Sequence, residues 1–261
     1  MLAWVAQPPA PPRSLTVSFL DVGQGDATLI QHPDGTAVLF DGGPPEARVA
    51  RLLARAGVRR LSALVMTHAS RDHHGGLREV VERYPVDLLI DGGDGAGDRD
   101  FRFTAAEAMR RGARRIAAEA PMTVRVGAVR IRVLSPPSRP SGPPPEDPNP
   151  RAVVAVVSAG RFDILLSADA ESPTLSRLAL PRVEAMKVPH HGSRDPGLPQ
   201  ILDRVRPLVA AVPVGENDYG HPAPSTLAAL RAAGVVPHRT DREGTIRVSV
   251  DGRGIHVEGE R

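Results

Sequence analysis

Short apolar runs rich in Val, Ile, Leu and Thr alternate along this chain with stretches of helical periodicity, and several of the runs stop at clusters of His, Asp and Gly. This rhythm limits the fold more than any other feature, because strand-length runs followed by amphipathic stretches call for sheets with helices packed on them. Strand-like runs open the first half at 15–20, 27–31, 36–40 and 64–67, with helical patterns at 46–56 and 77–83. The second half repeats the rhythm, with runs at 153–157, 162–167, 183–188 and 208–214 and helical stretches near 173–180, 198–205 and 225–233. It closes with runs at 244–250 and 254–257. Two β-then-α halves predict an α/β fold in which two mixed sheets pack face to face with helices outside.

Prolines set the boundaries. They cluster at 8–12 and again at 136–150, where missing donors and fixed backbone angles disfavour regular structure. Residues 1–13 read as an apolar stub and a Pro-rich linker, and 14–261 as one domain. The segment 136–150 is an internal loop of that domain, since apolar runs at 129–134 and 152–158 flank it. The apolar start, MLAWVA, is too short for a signal-peptide core, and no run approaches the roughly 18 apolar residues that span a bilayer.

Composition narrows the chemistry. With 261 residues, 41% of them hydrophobic, the chain can bury a substantial core. It has no cysteine, so disulfides, thiolate metal sites and cysteine nucleophiles are excluded, and a transition-metal site must use His, Asp and Glu. The net charge is +3, and the basic residues are all Arg except Lys187, which is weak support for an anionic partner.

Four polar clusters follow strand-like runs, the place where α/β folds build sites. In the first, 67–76 (THASRDHHGG), the loop brings His68, Asp72 and His73 together before a Gly pair. Imidazole and carboxylate donors of this kind hold zinc, manganese or iron: Asp72 and His73 bind one ion while His68 faces a neighbour. In the second, Asp169 ends an apolar run, where a carboxylate needs a cation or else caps the Ser172–Pro173 turn. The third, KVPHHGS at 187–193, has adjacent imidazoles that would point oppositely on extended backbone. His190 is then the metal-facing ring, and His191 lies behind it or against substrate. The fourth, 217–222 (NDYGHP), offers the His221 ring and a helix start to an anion, or is an ordinary loop with Ser225 as a cap.

Taken in order with DVGQGDA at 21–27 and the DGG turn at 41–43, these clusters resemble the metallo-β-lactamase superfamily, and more narrowly the hydrolase domain of the ComEC competence-channel family. The resemblance covers roughly residues 14–257 and includes the closing Arg239-Thr240-Asp241 and Gly244. It implies a four-layer αβ/βα sandwich with a metal site at one rim of the sheets. By position it makes His68, Asp72, His73, Asp169 and His190 the ligands. Asp21 and Asp26 lie beside the site, and Asp41 supports the metal loop. Asn149, His191, Ser193 and Asn217 lie against substrate or behind the ligands. Two departures fall on the position centred on His68: Ser70 stands where the superfamily has His, and Asn149 and Ala152 stand where its middle His region would be. One firm zinc or manganese position and an uncertain second one follow.

The resemblance also implies DNA phosphodiester hydrolysis during uptake, with Asp72 as ligand and proton acceptor and His221 as a catalytic contact. No small organic cofactor is expected. A membrane-channel domain upstream would place the site on the extracytoplasmic face. Two alternatives remain. One is a small-molecule ester or phosphodiester hydrolase. The other is a metal-poor DNA-binding module using Arg59-Arg60, Arg110-Arg111 and Arg114-Arg115 as backbone contacts, although Arg pairs of this kind are ordinarily solvated helix faces. Aromatic residues make up 3% of the chain, which argues against base stacking as the main mode of recognition.

Overall fold

The computed structural model describes residues 10–93, 95, 97–138 and 146–261. The apolar stub and the middle of the Pro-rich loop lie outside the described residues.

Among the described residues, fifteen strands form two sheets. The first holds β1 (Leu15–Phe19), β2 (Thr28–Gln31), β3 (Ala37–Phe40), β4 (Ala63–Met66), β5 (Leu88–Asp91) and β6 (Arg114–Ala117). The second holds β7 (Met122–Val126), β8 (Val129–Ser135), β9 (Val154–Ala159), β10 (Phe162–Leu166), β11 (Ala185–Lys187), β12 (Val209–Val212) and β13 (Val236–Arg239). The closing strands β14 (Ile246–Asp251) and β15 (Gly254–Gly259) return to the first sheet, giving the order β15-β14-β1-β2-β3-β4-β5-β6 against β13-β12-β11-β10-β9-β8-β7. Strands β3 to β6 and β10 to β13 run parallel within their sheets, and the others antiparallel.

Strand alternation sorts the side chains into layers. In β4, Ala63 and Val65 face the second sheet, while Leu64 and Met66 face the helices. The helices α1 (Val49–Arg55), α3 (Leu77–Arg83) and α4 (Arg99–Arg110) cover the outside of the first sheet, and the one-turn α2 (Arg71–His74) lies between β4 and α3. The outside of the second sheet takes α6 (Leu198–Val205), whose Leu198, Ile201, Leu202 and Val205 form one buried stripe, and α7 (Pro224–Ala232). Short turns α5 (Ser172–Leu175) and α8 (Thr240–Glu243) complete the set. The result is the four-layer sandwich the sequence implies.

Three local expectations change. The helix read at 46–56 is a 3-10 turn, Pro45–Ala47, followed by α1, because Arg48 takes a left-handed conformation at φ 50° between them. The helix read at 173–180 stops after one turn at Leu175. The closing strands do not belong to the second half's sheet. They pair beside β1, with Val248 opposite Val17 and Ile246 opposite Phe19, so that their apolar sides enter the core between the sheets.

Candidate metal centre

The site forms where parallel strands end. Asp41 follows β3, His68 follows β4, Asp169 follows β10, and the two histidines 190 and 191 follow β11. Asp41 is the anchor of the first loop. Held at φ 56°, its carboxylate accepts from the Thr67 amide at 2.9 Å, the Thr67 hydroxyl at 2.6 Å and His73 Nδ1 at 2.8 Å. It therefore ties the loop at Thr67 and His73 to the end of β3. With Nδ1 so bound, His73 presents Nε2 to the interior, 3.1 Å from Asp169 Oδ1. His74, the third histidine of the loop, turns away onto Phe101 of α4, with ring centroids 5.4 Å apart.

Asp72, His73, Asp169 and His191 bring one potential ligand atom each within 4.8 Å of one another. His191 is buried. Its Nδ1 lies 3.0 Å from the Pro213 carbonyl, and its Nε2 lies 3.2 Å from Asp72 Oδ2 and 3.6 Å from Asp169 Oδ2. This reverses the reading of the adjacent pair. Both residues are left-handed, at φ 46° and 53°, in a tight turn at Pro189–Gly192, so the alternation of extended backbone does not apply. His190 is partly exposed, with Nδ1 3.0 Å from Glu171 and Nε2 3.8 Å from Asp169. His190 thus sits at the edge of the group and His191 inside it.

His68 packs against His73 with centroids 4.2 Å apart and the rings tilted by 55°, and bonds the Thr67 hydroxyl through Nδ1. Burial pushes it down to about 4, leaving a neutral ring. Ser70, at the departure from the superfamily pattern, donates to Asp72 and so orients that carboxylate. Lys187 is the component that motif reading missed. Its ammonium is buried between Asp26, with which it is ion-paired, and Asp169 at 3.4 Å. The signal was present: it is the chain's one lysine, at the end of an apolar run.

Charges are tightly coupled here. Burial opposes the charged forms of His73, His191 and Lys187, yet Asp169 and Asp26 raise all of them above their ordinary values. Burial would likewise raise Asp169 and Asp26, but Lys187 and the two imidazoles hold both below the carboxylate range.

The remaining predicted residues divide. Asn149, His190 and His221 line a cavity of about 980 Å³ that opens over Asp72 and Asp169. The His221 ring lies 5.4 Å from that of His190. Asn217 also faces the cavity, but its side chain is spent on its own loop, bonding the Gly215 and His221 carbonyls and the Tyr219 and His221 amides. Ser193 bonds Glu171. Asp26 is in the centre. Asp21 is outside it, paired with Arg261 at 2.6 Å. Asp169 points into the site rather than capping a helix; the residue before α5 is Glu171.

The donors fit a divalent cation. Nε2 of His68 is buried with no partner, while Nε2 of His73 converges on Asp169 and Nε2 of His191 on both Asp72 and Asp169, so that imidazoles and carboxylates point at one place. Buried polar atoms left unpaired are costly, and a cation is what neutral imidazole and carboxylate share as a partner.

Fold and centre agree with the comparison to known families: the profile of the metallo-beta-lactamase superfamily matches residues 20–216, and the chain belongs to that superfamily of metal-dependent hydrolases. Among curated proteins it is similar to ComE operon protein 3 of Bacillus subtilis, 25% identical over 88% of the chain, and to Recombination protein 2 of Haemophilus influenzae, 28% identical over 89%. The chain spans about a third of these relatives, 32% and 28% of their lengths. Among solved structures the metallo-beta-lactamase fold protein YhfI from Bacillus subtilis superposes with a TM-score of 0.61 at 10% identity. That match covers 90% of this chain and 99% of YhfI.

Proposed function

We propose that this chain is a metal-dependent phosphodiesterase that cuts DNA during competence-linked uptake. The observation that carries the reading is the group of buried His73, Asp169 and His191 with the half-buried Asp72, opening into a cavity large enough for a nucleotide. Similarity to ComEC-like competence proteins supplies the choice of DNA. On this reading a membrane-channel domain lies upstream and the site faces the extracytoplasmic side, as the sequence resemblance to the ComEC family implies. Among the described residues, no helix is long and apolar enough to cross a membrane.

His73, His191, Asp169 and Asp72 would hold one zinc or manganese ion firmly, and His68 a weaker second one. A divalent ion there supplies positive charge for a phosphate and acidifies water. Asp72 is a third exposed and faces the cavity, so it takes a proton from the incoming water. Its carboxylate stays ionised at neutral pH: burial raises it, and the hydrogen bond from His191 with the charges of His73 and His191 lowers it further. His221 stays neutral, since burial and the neighbouring His190 and His191 lower it, and its ring contacts the leaving side of the substrate.

One observation favours a second reading. Glu46, Glu216 and Asp218 line the cavity, and Arg71 is paired with Glu46, so the rim repels a polyanion more than it attracts one. A small ester or phosphodiester would suit such a rim. The metal-poor DNA-binding module is less well supported: one Arg of each predicted pair is tied to a carboxylate, Arg60 to Asp87, Arg110 to Glu107 and Arg115 to Asp91.

The test is cleavage of plasmid and oligonucleotide by metal-stripped protein resupplied with manganese or zinc, beside Asp72→Ala and His191→Ala. The nuclease reading requires metal-restored cutting that both substitutions abolish. Turnover of a simple diester without DNA cutting would replace it with the small-molecule enzyme, and salt-sensitive DNA binding without cutting with the binding module.

A further inference from the structure

Tyr219 stands at the mouth of the metal cavity with 76% of its surface exposed, the most exposed aromatic among the described residues. The other exposed aromatic, Phe103, has the Arg78 guanidinium over its ring at 4.2 Å and lies on α4, away from the centre. Tyr219 instead leans on His221, with centroids 5.8 Å apart and 34° between planes, and His221 in turn meets His190. The ring is not presented by a slack loop. Asn217 bonds the amides of Tyr219 and His221 through its carbonyl oxygen at 3.1 and 3.0 Å, and its amide nitrogen donates to Gly215 and His221. Gly220, at φ 78°, turns the chain so that both rings project on the cavity side. A rigid platform with an exposed π-face binds a planar group without the entropy cost of ordering the loop.

We propose that Tyr219, backed by His221, is the stacking subsite for a single unpaired nucleobase whose phosphate lies at the metal centre. The proposal rests on the phosphodiesterase reading above and deepens it. It also gives the acidic rim a role. Glu216 and Asp218 precede the ring in sequence and line the same cavity, where carboxylates accept from the exocyclic amines of cytosine, adenine or guanine and from the N3–H of an unpaired thymine. The base occupies the acidic wall and the phosphate the centre. The chain's few aromatics are then no argument against stacking, because one platform serves one base.

The experiment is fluorescence anisotropy with labelled hexanucleotides whose phosphorothioate links resist cutting, in the presence of manganese. Probes are oligo(dC), oligo(dT) and a strand of abasic residues. Wild type should bind oligo(dC) and oligo(dT) each about tenfold tighter than the abasic strand, a typical loss for one stacked base. Tyr219→Ala should erase the difference and Tyr219→Trp keep it; both substitutions fall on an exposed ring that the core does not need. Equal binding of dC and abasic strands by wild type, discrimination that survives Tyr219→Ala, or binding of neither strand overturns the subsite. Cutting of ordinary oligo(dC) without base-dependent binding sinks the subsite and leaves the nuclease. Base-dependent binding without cutting does the reverse.

Discussion

Lys187 shows most directly how single residues set this centre. A buried ammonium is tolerated because Asp26 and Asp169 compensate it, and they are tolerated because it compensates them. Lys187→Met should therefore destabilise the metal-free protein by about 3–5 kcal/mol, read from urea unfolding, as an uncompensated buried charge does. Added manganese should recover part of the loss, since it neutralises Asp169 in another way. Equal stability of variant and wild type in the metal-free state would show the ammonium to be dispensable. The histidines carry a pH dependence with a definite sign. His73 and His191 are raised, so the stability they give the metal-free protein is complete below the ordinary imidazole range near 6.5 and lost as pH rises through their higher folded values. Metal must displace those protons, so affinity should climb over the same interval and binding should release protons. Isothermal titration in two buffers of different ionisation heat checks this; a heat independent of buffer would contradict it.

At the scale of elements, the centre depends on three loops packed backbone to backbone. Asp26 N donates to the Asp72 carbonyl at 3.0 Å, Gly42 N to His73 at 2.7 Å, and Gly76 N to Gly43 at 2.9 Å. A side chain at Gly25 would stand 2.3 Å from the Asp72 carbonyl oxygen, in a conformation at φ 143° that L residues rarely adopt. Gly25→Ala should thus cost about 3 kcal/mol or more and lower metal content together with stability. Gly252→Ala, where nothing lies within 4 Å, is the control and should stay within about 0.5 kcal/mol of wild type. The tight turn at Pro189–Gly192 is the element that decided between two adjacent histidines. Replacing His191 should remove most of the bound metal, whereas His190→Ala should leave most of it, by elemental analysis; the opposite order would restore the ring favoured on extended backbone.

At the scale of the whole molecule, the centre joins the two sheets: Asp41, His68 and His73 come from the first and Asp169, Lys187 and His191 from the second. An ion bound between them should stabilise the fold as a whole. At about 100 times its dissociation constant it adds roughly 2.7 kcal/mol, enough to raise the melting temperature by several degrees. A chelator should reverse the rise, and a melting temperature indifferent to metal would place any binding outside the seam.

The division between what the chain alone specified and what folding decided follows from the range of each interaction. Apolar runs with period two and amphipathic stretches such as 198–205 are local, so layers, sheet-forming segments and the polar clusters at strand ends were readable, as was the likeness carried by THASRDHHGG and KVPHHGS. The weak patterns were not: β6 leaves Arg114 and Arg115 exposed, and the buried stripe of α4, Phe101, Thr104, Ala105 and Ala108, holds one large apolar side chain among small and polar ones. Nor was the return of β14 to β1, which pairs residues more than 200 positions apart. Only the tertiary structure chose His191 over His190, set Lys187 between two carboxylates and drew Asp26 into the centre while Asp21 stayed beside it. Each of those outcomes turns on a backbone dihedral or a long-range packing contact, and neither is encoded in the identity of the residue or its immediate neighbours.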